Sequence, residues 1–364
     1  MTTRSLVEAL DRGDTAALAR AISLVENRRD GCEQVLTHAH ARVGRRGARR
    51  IGLTGPPGAG KSTLTERLVQ HYRAQELRVA VIAVDPTSPF TGGALLGDRI
   101  RMESVSLDPG VFIRSMATRG SQGGLATTTE EAADVLEAFG FDRILIETVG
   151  VGQTELDIAR TAESTALVLV PESGDAIQTL KAGVMEIADV FVIYKSDRPG
   201  GDKLRQEIEV MLGLRQGNAF RNLPAHHHRS DPKGLPDGRS RTDGQSDRRH
   251  SPSVRPTVRL SDQWEPPVLT TVATTGEGVP ELVAALDRHR AFLESSGRLV
   301  ARRRERLAER TRAVVERGLR QWLWEDTPAP DLLAQRMDEM AEGRRSPYDV
   351  AADILDQLRS GAIR

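Results

Sequence analysis

The residues of this chain best suited to chemistry lie in a short glycine-rich stretch, GPPGAGKST, which begins at Gly55 and ends at Thr63. Glycine reaches backbone angles closed to other residues, so successive N–H groups of such a stretch can turn inward around a phosphate chain. Lys61 would place its charge on the β- and γ-phosphates, and the Ser62 hydroxyl would ligate Mg²⁺. The pattern therefore predicts a nucleoside triphosphate site. Its expected contacts are Gly55, Pro56, Pro57, Gly58, Ala59, Gly60, Lys61, Ser62 and Thr63.

Two acidic residues that end apolar strands are candidates to hold the metal ion. Asp85 closes VAVIAVD, and Glu147 closes the strand in DRILIETVGVGQTE. Hard cations prefer oxygen ligands, and an acid that finishes an apolar strand needs a partner. A turn-forming Asp-Pro pair is the alternative interpretation of Asp85. After Glu147, Gly150 would offer its N–H to the γ-phosphate, and Gln153 would orient the attacking water.

A polar, glycine-rich loop between these two strands holds two further candidates. Residues 88–102, SPFTGGALLGDRIRM, predict a mobile loop whose order depends on a bound γ-phosphate. Within it, Asp98 is able to meet a cation and Arg101 a phosphate. Taken alone, each of these residues is equally consistent with an ordinary surface charge.

The segment FVIYKSD is an imperfect form of the N-K-x-D pattern that reads guanine. The Asp197 carboxylate can accept from N1–H and the exocyclic amine of guanine, whereas the N1 acceptor of adenine would be repelled. Lys195 can lay its methylenes across the base. Tyr194 replaces the usual asparagine, which mostly braces neighbouring loops. We therefore expect guanine recognition to survive, while the affinity for the nucleotide and the rate of nucleotide exchange change. Ala273 would offer its N–H to guanine O6, with Val272 in place of the usual serine.

The chain as a whole shows no mark of a nucleic-acid or membrane partner. Lys plus Arg and Asp plus Glu both number 51 among 364 residues, so no overall field favours either surface. No run approaches the roughly 20 apolar residues that a membrane span needs, and the acidic N-terminus MTTRSLVEALDRGD is unlike a signal peptide. The single cysteine, Cys32, cannot form an internal disulfide. We therefore expect a cytoplasmic protein.

Apolar strands alternate with helical segments through the middle of the chain. The strand-like runs are IGLTG, VAVIAVD, VFIRSM, ILIETVG, ALVLVP, VFVIYK and VLTTVA. Continuous apolar strands between helices predict an α/β fold, in which helices flank both faces of a mostly parallel sheet. Ligands of such sheets bind beyond the carboxyl ends of the strands, where the polar motifs fall. We expect this P-loop domain to span residues 49–295.

Helical segments are expected on both sides of this domain. Residues 1–48 predict an N-terminal helical extension in which Asp14 caps an amphipathic helix. The apolar stripe of that helix comprises Leu18, Ile22 and Val25. Residues 215–262 are rich in Pro, Gly, Ser, Asp and Arg, which predicts a disordered insertion. Residues 296–364 predict a thin helical arm with solvated i,i+4 charge pairs; its core is too small to stand alone, so we expect it to form a homodimer.

Several stretches together resemble the MeaB/ArgK family, the methylmalonyl-CoA mutase-associated GTPases. They are GPPGAGKSTL, VDPTSPFTGGALLGDRIRM, ATRGSQGGL, IETVGVGQTE, DAIQTLKAG, PPVLTTVATTGEG and SPYDVAADIL. The likeness runs from about Leu6 to Leu358, apart from the insertion. It implies a dimeric GTPase that binds GTP and GDP with Mg²⁺ and associates with an adenosylcobalamin-dependent acyl-CoA mutase. Such proteins protect the mutase from inactivation and gate the loading of its cofactor.

The resemblance also implies roles for particular residues. The Mg²⁺ ligands would be Ser62, Asp85, Asp98 and Glu147. Arg101 would lie in a first switch loop, Gln153 in a second, and Lys181 in a third mobile segment that couples hydrolysis to the mutase. The expected catalytic residues are therefore Lys61, Arg101, Gln153 and Lys181. Tyr194 and Val272 depart from the family pattern, and both departures fall in base recognition.

The leading hypothesis is thus a GTP-hydrolysing chaperone for a cobalamin-dependent mutase, slow alone and accelerated by its partner, because no residue obviously supplies an arginine finger. One alternative is a nucleotide-dependent kinase acting on a small molecule or a transport component, an association carried by the family's older name. Another is a nucleotide-gated scaffold without turnover, against which Ser62, Asp85 and Glu147 argue. A nickel-delivering GTPase is disfavoured because the N-terminus lacks a cysteine- or histidine-rich segment.

Overall fold

In the computed structural model, the chain forms a parallel β-sheet covered by helices, with further helices before and after it. The structure describes residues 2–45, 47–85, 102–117, 124–148, 154–171, 185–194, 196, 199–215, 263–272 and 275–359. The strands are β1 (Arg49–Thr54), β2 (Val79–Asp85), β3 (Val111–Ala117), β4 (Arg143–Thr148), β5 (Ser164–Leu169), β6 (Val190–Tyr194) and β7 (Val268–Thr271). The helices are α1 (Thr3–Asp11), α2 (Thr15–Glu26), α3 (Cys32–His40), α4 (Lys61–Arg73), α5 (Glu103–Ser106), α6 (Gly124–Phe139), α7 (Thr154–Thr161), α8 (Met185–Ile187), α9 (Gly201–Arg215), α10 (Val279–Ser295), α11 (Arg298–Glu325), α12 (Ala329–Gln335), α13 (Met337–Ala341) and α14 (Pro347–Arg359).

The seven strands run parallel in the order β3-β2-β4-β1-β5-β6-β7, which confirms the predicted α/β fold. Strand β1 is central, and the register places Gly52 beside Ile146 of β4 and Thr165 of β5. The chain turns to one side of β1 to form β2 to β4 and to the other side to form β5 to β7. The carboxyl end of β1 therefore lies at the switch point of the sheet, where ligands of parallel α/β folds bind.

The strands are apolar on both faces because helices cover both sides of the sheet. Every residue of β5 and β6 is buried. Helices α4 and α10 pack on one face; α6 and α9 pack on the other, where α1 to α3 add an outer layer over α6. Asp14 caps α2 by accepting two backbone hydrogen bonds, as predicted. The predicted stripe of Leu18, Ile22 and Val25 is fully buried in this outer layer.

The first arginines of the long helix α11 reach back to the sheet domain instead of forming the solvated charge pairs predicted along the helix. The Arg303 guanidinium contacts the Glu163 carboxylate at 2.6 Å. Arg302 donates to the Glu163 carbonyl and Arg306 to the Thr161 carbonyl, both at 3.1 Å. An arginine side chain is long enough to meet either an acid one turn away or an acceptor across an interface, so spacing alone does not distinguish the two.

Arg215 ends α9, whereas residues 216–262 lie outside the described part of the chain. Among the helices that the structure describes, none combines the length and the apolar character needed to cross a membrane.

Candidate nucleotide-binding site

The glycine-rich stretch joins β1 to α4 at the carboxyl edge of the sheet. Gly55 has a φ of 140°, and a Cβ there would lie 2.0 Å from the Val168 carbonyl oxygen of β5, so only glycine fits. Helix α4 begins immediately after Gly60, and no side chain caps its first turn. The N–H groups of that turn and the positive end of the helix dipole are therefore available to an anion.

Lys61 is held against the loop that precedes it. Its ammonium group donates to the carbonyl oxygens of Gly55 at 2.7 Å and Pro56 at 2.9 Å. The side chain is buried, and a buried cation needs such acceptors because desolvation without partners is costly. These contacts keep the positive charge beside the glycine loop, where phosphate oxygens would replace the carbonyls as its acceptors.

The Glu147 carboxylate is bound by two hydroxyl groups of α4. Ser62 Oγ donates to Glu147 Oε1 at 2.6 Å, and Thr65 Oγ1 donates to Glu147 Oε2 at 2.9 Å. Glu147 is only 4% exposed, so these bonds supply partners that the acid at the end of its apolar strand needs. The sequence prediction omitted Thr65, although its position three residues after Ser62 places both hydroxyls on one face of a helix.

This arrangement suits a hard divalent cation. Ser62 and Glu147 bring a hydroxyl and a carboxylate together at the first turn of α4, and both are oxygen ligands of the kind that Mg²⁺ prefers. Asp85 ends the adjacent strand, whose Ala83 pairs with Glu147. The backbone of Asp85 is therefore at the same edge of the sheet, while its side chain lies outside the described part.

Most of the other predicted site residues also lie outside the described part of the chain. They are Asp98, Arg101, Gly150, Gln153, Lys181, Lys195, Asp197 and Ala273. Tyr194, which stands at the first position of the base-reading pattern, is described and is buried at the end of β6. Its ring lies against Gly60, a contact that the sequence did not predict.

A buried Ser-His-Asp chain at the opposite, amino edge of the sheet is structural. Ser164 Oγ lies 2.8 Å from His289 Nδ1, and His289 Nε2 lies 3.2 Å from Asp189 Oδ1. Burial lowers the pKa of His289 to about 3 and raises that of Asp189 to about 6, so the imidazole is neutral at pH 7. Ser164 and His289 are almost inaccessible to solvent. The three hydrogen-bonded side chains therefore serve to link α10 to the starts of β5 and β6.

A cluster of charged side chains also lies at the amino edge, around a cavity of about 240 Å³ between α3, α6 and α11. Arg50 of β1 donates to the Asp134 carboxylate at 2.7 Å and to the Glu137 carboxylate at 2.8 Å. Arg310 of α11 also contacts Asp134. Glu130 lines the same cavity, and burial raises its pKa to about 7 although Arg306 opposes this shift. The cluster joins the arm to the sheet domain and is remote from the glycine loop.

We expect Glu130→Gln to stabilise the protein at pH 8 but not at pH 5. The folded-state pKa of Glu130 is above its unfolded value, so its contribution to stability is fully present below about pH 4.5 and is lost as pH rises through 7. Glutamine avoids burying the charge, and the variant should gain about 1–3 kcal/mol in free energy of unfolding at pH 8. Urea unfolding at the two pH values measures this difference. The exposed Glu309→Gln on α11 is the control and should show no gain at either pH.

Comparison with known proteins places this chain among P-loop GTPases. A family model described as methylmalonyl-CoA mutase-associated GTPase MeaB matches residues 18–328. A GTPase of Pyrococcus abyssi is 42% identical over 358 residues, which cover 98% of this chain and 97% of that protein. The mitochondrial methylmalonic aciduria type A homolog of Mus musculus is 34% identical over 310 residues, covering 82% and 65% of the two chains. The solved structure of a LAO/AO transport system kinase matches with a TM-score of 0.60 at 25% identity and covers 98% of each chain.

Proposed function

The chain belongs to the MeaB family of methylmalonyl-CoA mutase-associated GTPases, and on this basis we propose that it is a GTP-hydrolysing chaperone of an adenosylcobalamin-dependent acyl-CoA mutase. In this role it protects the mutase from inactivation and gates the loading of its cofactor in the cytoplasm. The chain is a P-loop GTPase. The observation that carries the proposal is the bonding of Ser62 to Glu147 beside Lys61, within a chain that the mutase-associated family model matches.

The proposed reaction is attack of water on the γ-phosphorus of GTP, which breaks the bond to the β–γ bridging oxygen and gives GDP and phosphate. Lys61 exchanges its carbonyl acceptors for phosphate oxygens and stabilises the charge of the transferring group. Ser62 and Glu147 would hold Mg²⁺, which would supply positive charge to offset the charge of the phosphates.

The remaining assignments extend this proposal to residues outside the described part. Asp85 and Asp98 would be further Mg²⁺ ligands, and Gly150 would donate its N–H to the γ-phosphate. Gln153 orients the attacking water, and Arg101 meets the phosphates from the first switch loop. Lys181 couples hydrolysis to the mutase. The guanine base is held by Lys195, Asp197 and Ala273.

Mixing the protein with purified adenosylcobalamin-dependent mutases tests the chaperone role. Enzymes acting on methylmalonyl-CoA, isobutyryl-CoA and ethylmalonyl-CoA are the candidates. We expect one of them to raise the GTPase rate about tenfold or more, and its own activity to last longer when the protein and GTP are present. Lys61→Ala, which removes the phosphate-binding charge, should abolish both effects. If no mutase changes the rate or lasts longer, the chaperone role is wrong and the GTPase assignment stands.

We further propose that the arm forms a homodimer. Helix α11 exposes a row of large apolar side chains, several of them at heptad spacing. They are Val300, Leu307, Val314, Val315, Leu319, Trp322 and Trp324. Heptad-spaced apolar residues on a long helix pair with a similar helix, and a second copy supplies one.

Light scattering after gel filtration should therefore give twice the chain mass of 39.8 kDa. Replacing Leu319 and Trp322 together by aspartate should produce monomers that still hydrolyse GTP, because these residues are remote from the glycine loop. Leu107→Asp is the control, since Leu107 is 92% exposed outside the arm and should leave the dimer intact. A monomeric wild-type protein would contradict the dimer.

A kinase remains a second candidate because the solved LAO/AO transport system kinase shares this fold over 98% of each chain. A kinase would transfer the γ-phosphoryl group to an acceptor rather than to water. Incubation with γ-labelled GTP and candidate acceptors distinguishes the two. All label recovered as inorganic phosphate supports the GTPase chaperone, and label on an acceptor supports the kinase.

A further inference from the structure

The side chain of Tyr194 connects the two parts of the nucleotide site. Tyr194 is the last residue of β6, immediately before the predicted base-reading residues Lys195 and Asp197. Its side chain extends to Gly60, the last residue of the glycine loop before α4. One residue therefore contacts the phosphate loop while its backbone carries the start of the base loop.

The contact between Tyr194 and Gly60 is close. A Cβ on Gly60 would lie 2.1 Å from Cε1 and 2.3 Å from Cδ1 of the tyrosine ring, far inside van der Waals contact. Gly60 also has a φ of 85°, which side-chain-bearing residues rarely adopt. The ring thus fills the space beside Gly60 and limits the movement of the loop toward β6.

The aromatic ring of Tyr194, rather than its hydroxyl, is the part of the side chain that braces the glycine loop. Tyr194 is 1% exposed, and its hydroxyl lies beside the Thr63 side chain of α4 without a well-aligned hydrogen bond to it. Burial raises the pKa of this hydroxyl, although Thr63 opposes the shift, so the phenol is neutral at physiological pH. A poorly aligned hydrogen bond contributes little, whereas the ring atoms lie directly against Gly60, so the ring is the group that holds the loop.

We propose that Tyr194 is a positioning residue for the bound nucleotide: its ring braces the glycine loop at Gly60 and slows the release of GDP. This inference rests on the nucleotide-binding part of the proposed function and does not depend on the mutase partner. When the ring is removed, the loop can relax into the vacated space, and its N–H groups no longer remain in the phosphate-binding arrangement. Small displacements of groups that position a ligand have large effects on rates.

The test is the release rate of a fluorescent GDP analogue in stopped flow, measured together with thermal unfolding. Tyr194→Phe keeps the ring and should release GDP at the wild-type rate. Tyr194→Leu should release it about 10- to 100-fold faster. Tyr194→Met places a longer, unbranched side chain in the vacated space, which adapts to an irregular core, and it should release GDP several-fold faster because a flexible chain braces less well than a ring. In Tyr194→Leu and Tyr194→Met, the KM for GTP should rise by a larger factor than kcat falls.

Tyr72→Leu is the matched control. Tyr72 lies near the carboxyl end of α4, the helix that follows Gly60, and is likewise 1% exposed, with its hydroxyl near Arg143 but without a well-aligned hydrogen bond. This variant should lose comparable thermal stability but keep the wild-type release rate. Wild-type release from Tyr194→Met, or equal acceleration by Tyr72→Leu, would overturn the positioning role. A wild-type protein that bound no GDP would overturn the nucleotide site itself, and a protein that bound GDP but no mutase would leave this inference standing.

Discussion

Replacement of Glu147 by glutamine is expected to lower kcat for GTP hydrolysis by about 100- to 1,000-fold. The Glu147 carboxylate is 4% exposed and accepts hydrogen bonds from Ser62 and Thr65, so it is the negative charge that the described part of the site offers to a metal ion beside the glycine loop. Glutamine has nearly the same shape but no charge. The variant should therefore fold, bind GDP and need more Mg²⁺ for half-maximal activity, which a magnesium titration of the GTPase rate measures.

Thr65→Val is the matched control for this prediction. It removes the hydroxyl that donates to Glu147 Oε2 but keeps the carboxylate charge and the Ser62 contact. We expect a loss of no more than about tenfold, the lower end of effects seen when a group behind a metal ligand is removed. If Glu147→Gln kept the wild-type magnesium requirement and kcat, Glu147 would be a structural acid and the metal site would have to be sought elsewhere.

The parts of this site that the sequence predicted are those specified by local chemistry. The glycine loop, the following lysine and the acid at the end of β4 are each recognised within one segment, by a positive φ such as that of Gly60 or by an acid that finishes an apolar strand. The seven strands were predicted for the same reason, because a strand covered on both faces is a continuous apolar run. Because the strands are parallel, their carboxyl ends lie at one edge of the sheet, and no further sequence pattern is needed to bring them together.

The contacts that were not predicted depend on how separate segments pack. The ring of Tyr194 meets Gly60 across 134 positions of sequence, and no local pattern distinguishes a tyrosine that braces a loop from one that weakens base recognition. The arginines of α11 show the same limit. Their spacing suits pairing along the helix, but Arg303 instead bonds to Glu163, because the domain presents a buried acid that needs a cation.

Arg50→Met is expected to cost about 3–5 kcal/mol in free energy of unfolding. Burial disfavours the charged guanidinium, yet Asp134 and Glu137 together raise the pKa of Arg50, so the cation persists in the fold. Removal of the Arg50 guanidinium leaves two buried carboxylates with one cation fewer. Asp134 still pairs with Arg310, and Glu137 still accepts from the Gly44 N–H. Urea unfolding of the variant at pH 7 measures the loss.

Arg49→Met is the control from the adjacent residue of the same strand. Arg49 pairs with Asp287, and both side chains are substantially exposed, so the change should cost less than about 1 kcal/mol. Adding Glu137→Met to Arg50→Met should recover part of the lost free energy of unfolding. The cost of the single change comes from burying a carboxylate without its cation, rather than from the missing hydrogen bond. If the single and double variants were equally unstable, the loss would come from packing around β1. If instead the second change restores stability, the amino edge of the sheet depends on charge balance, and Arg310 of the arm is part of that balance through Asp134.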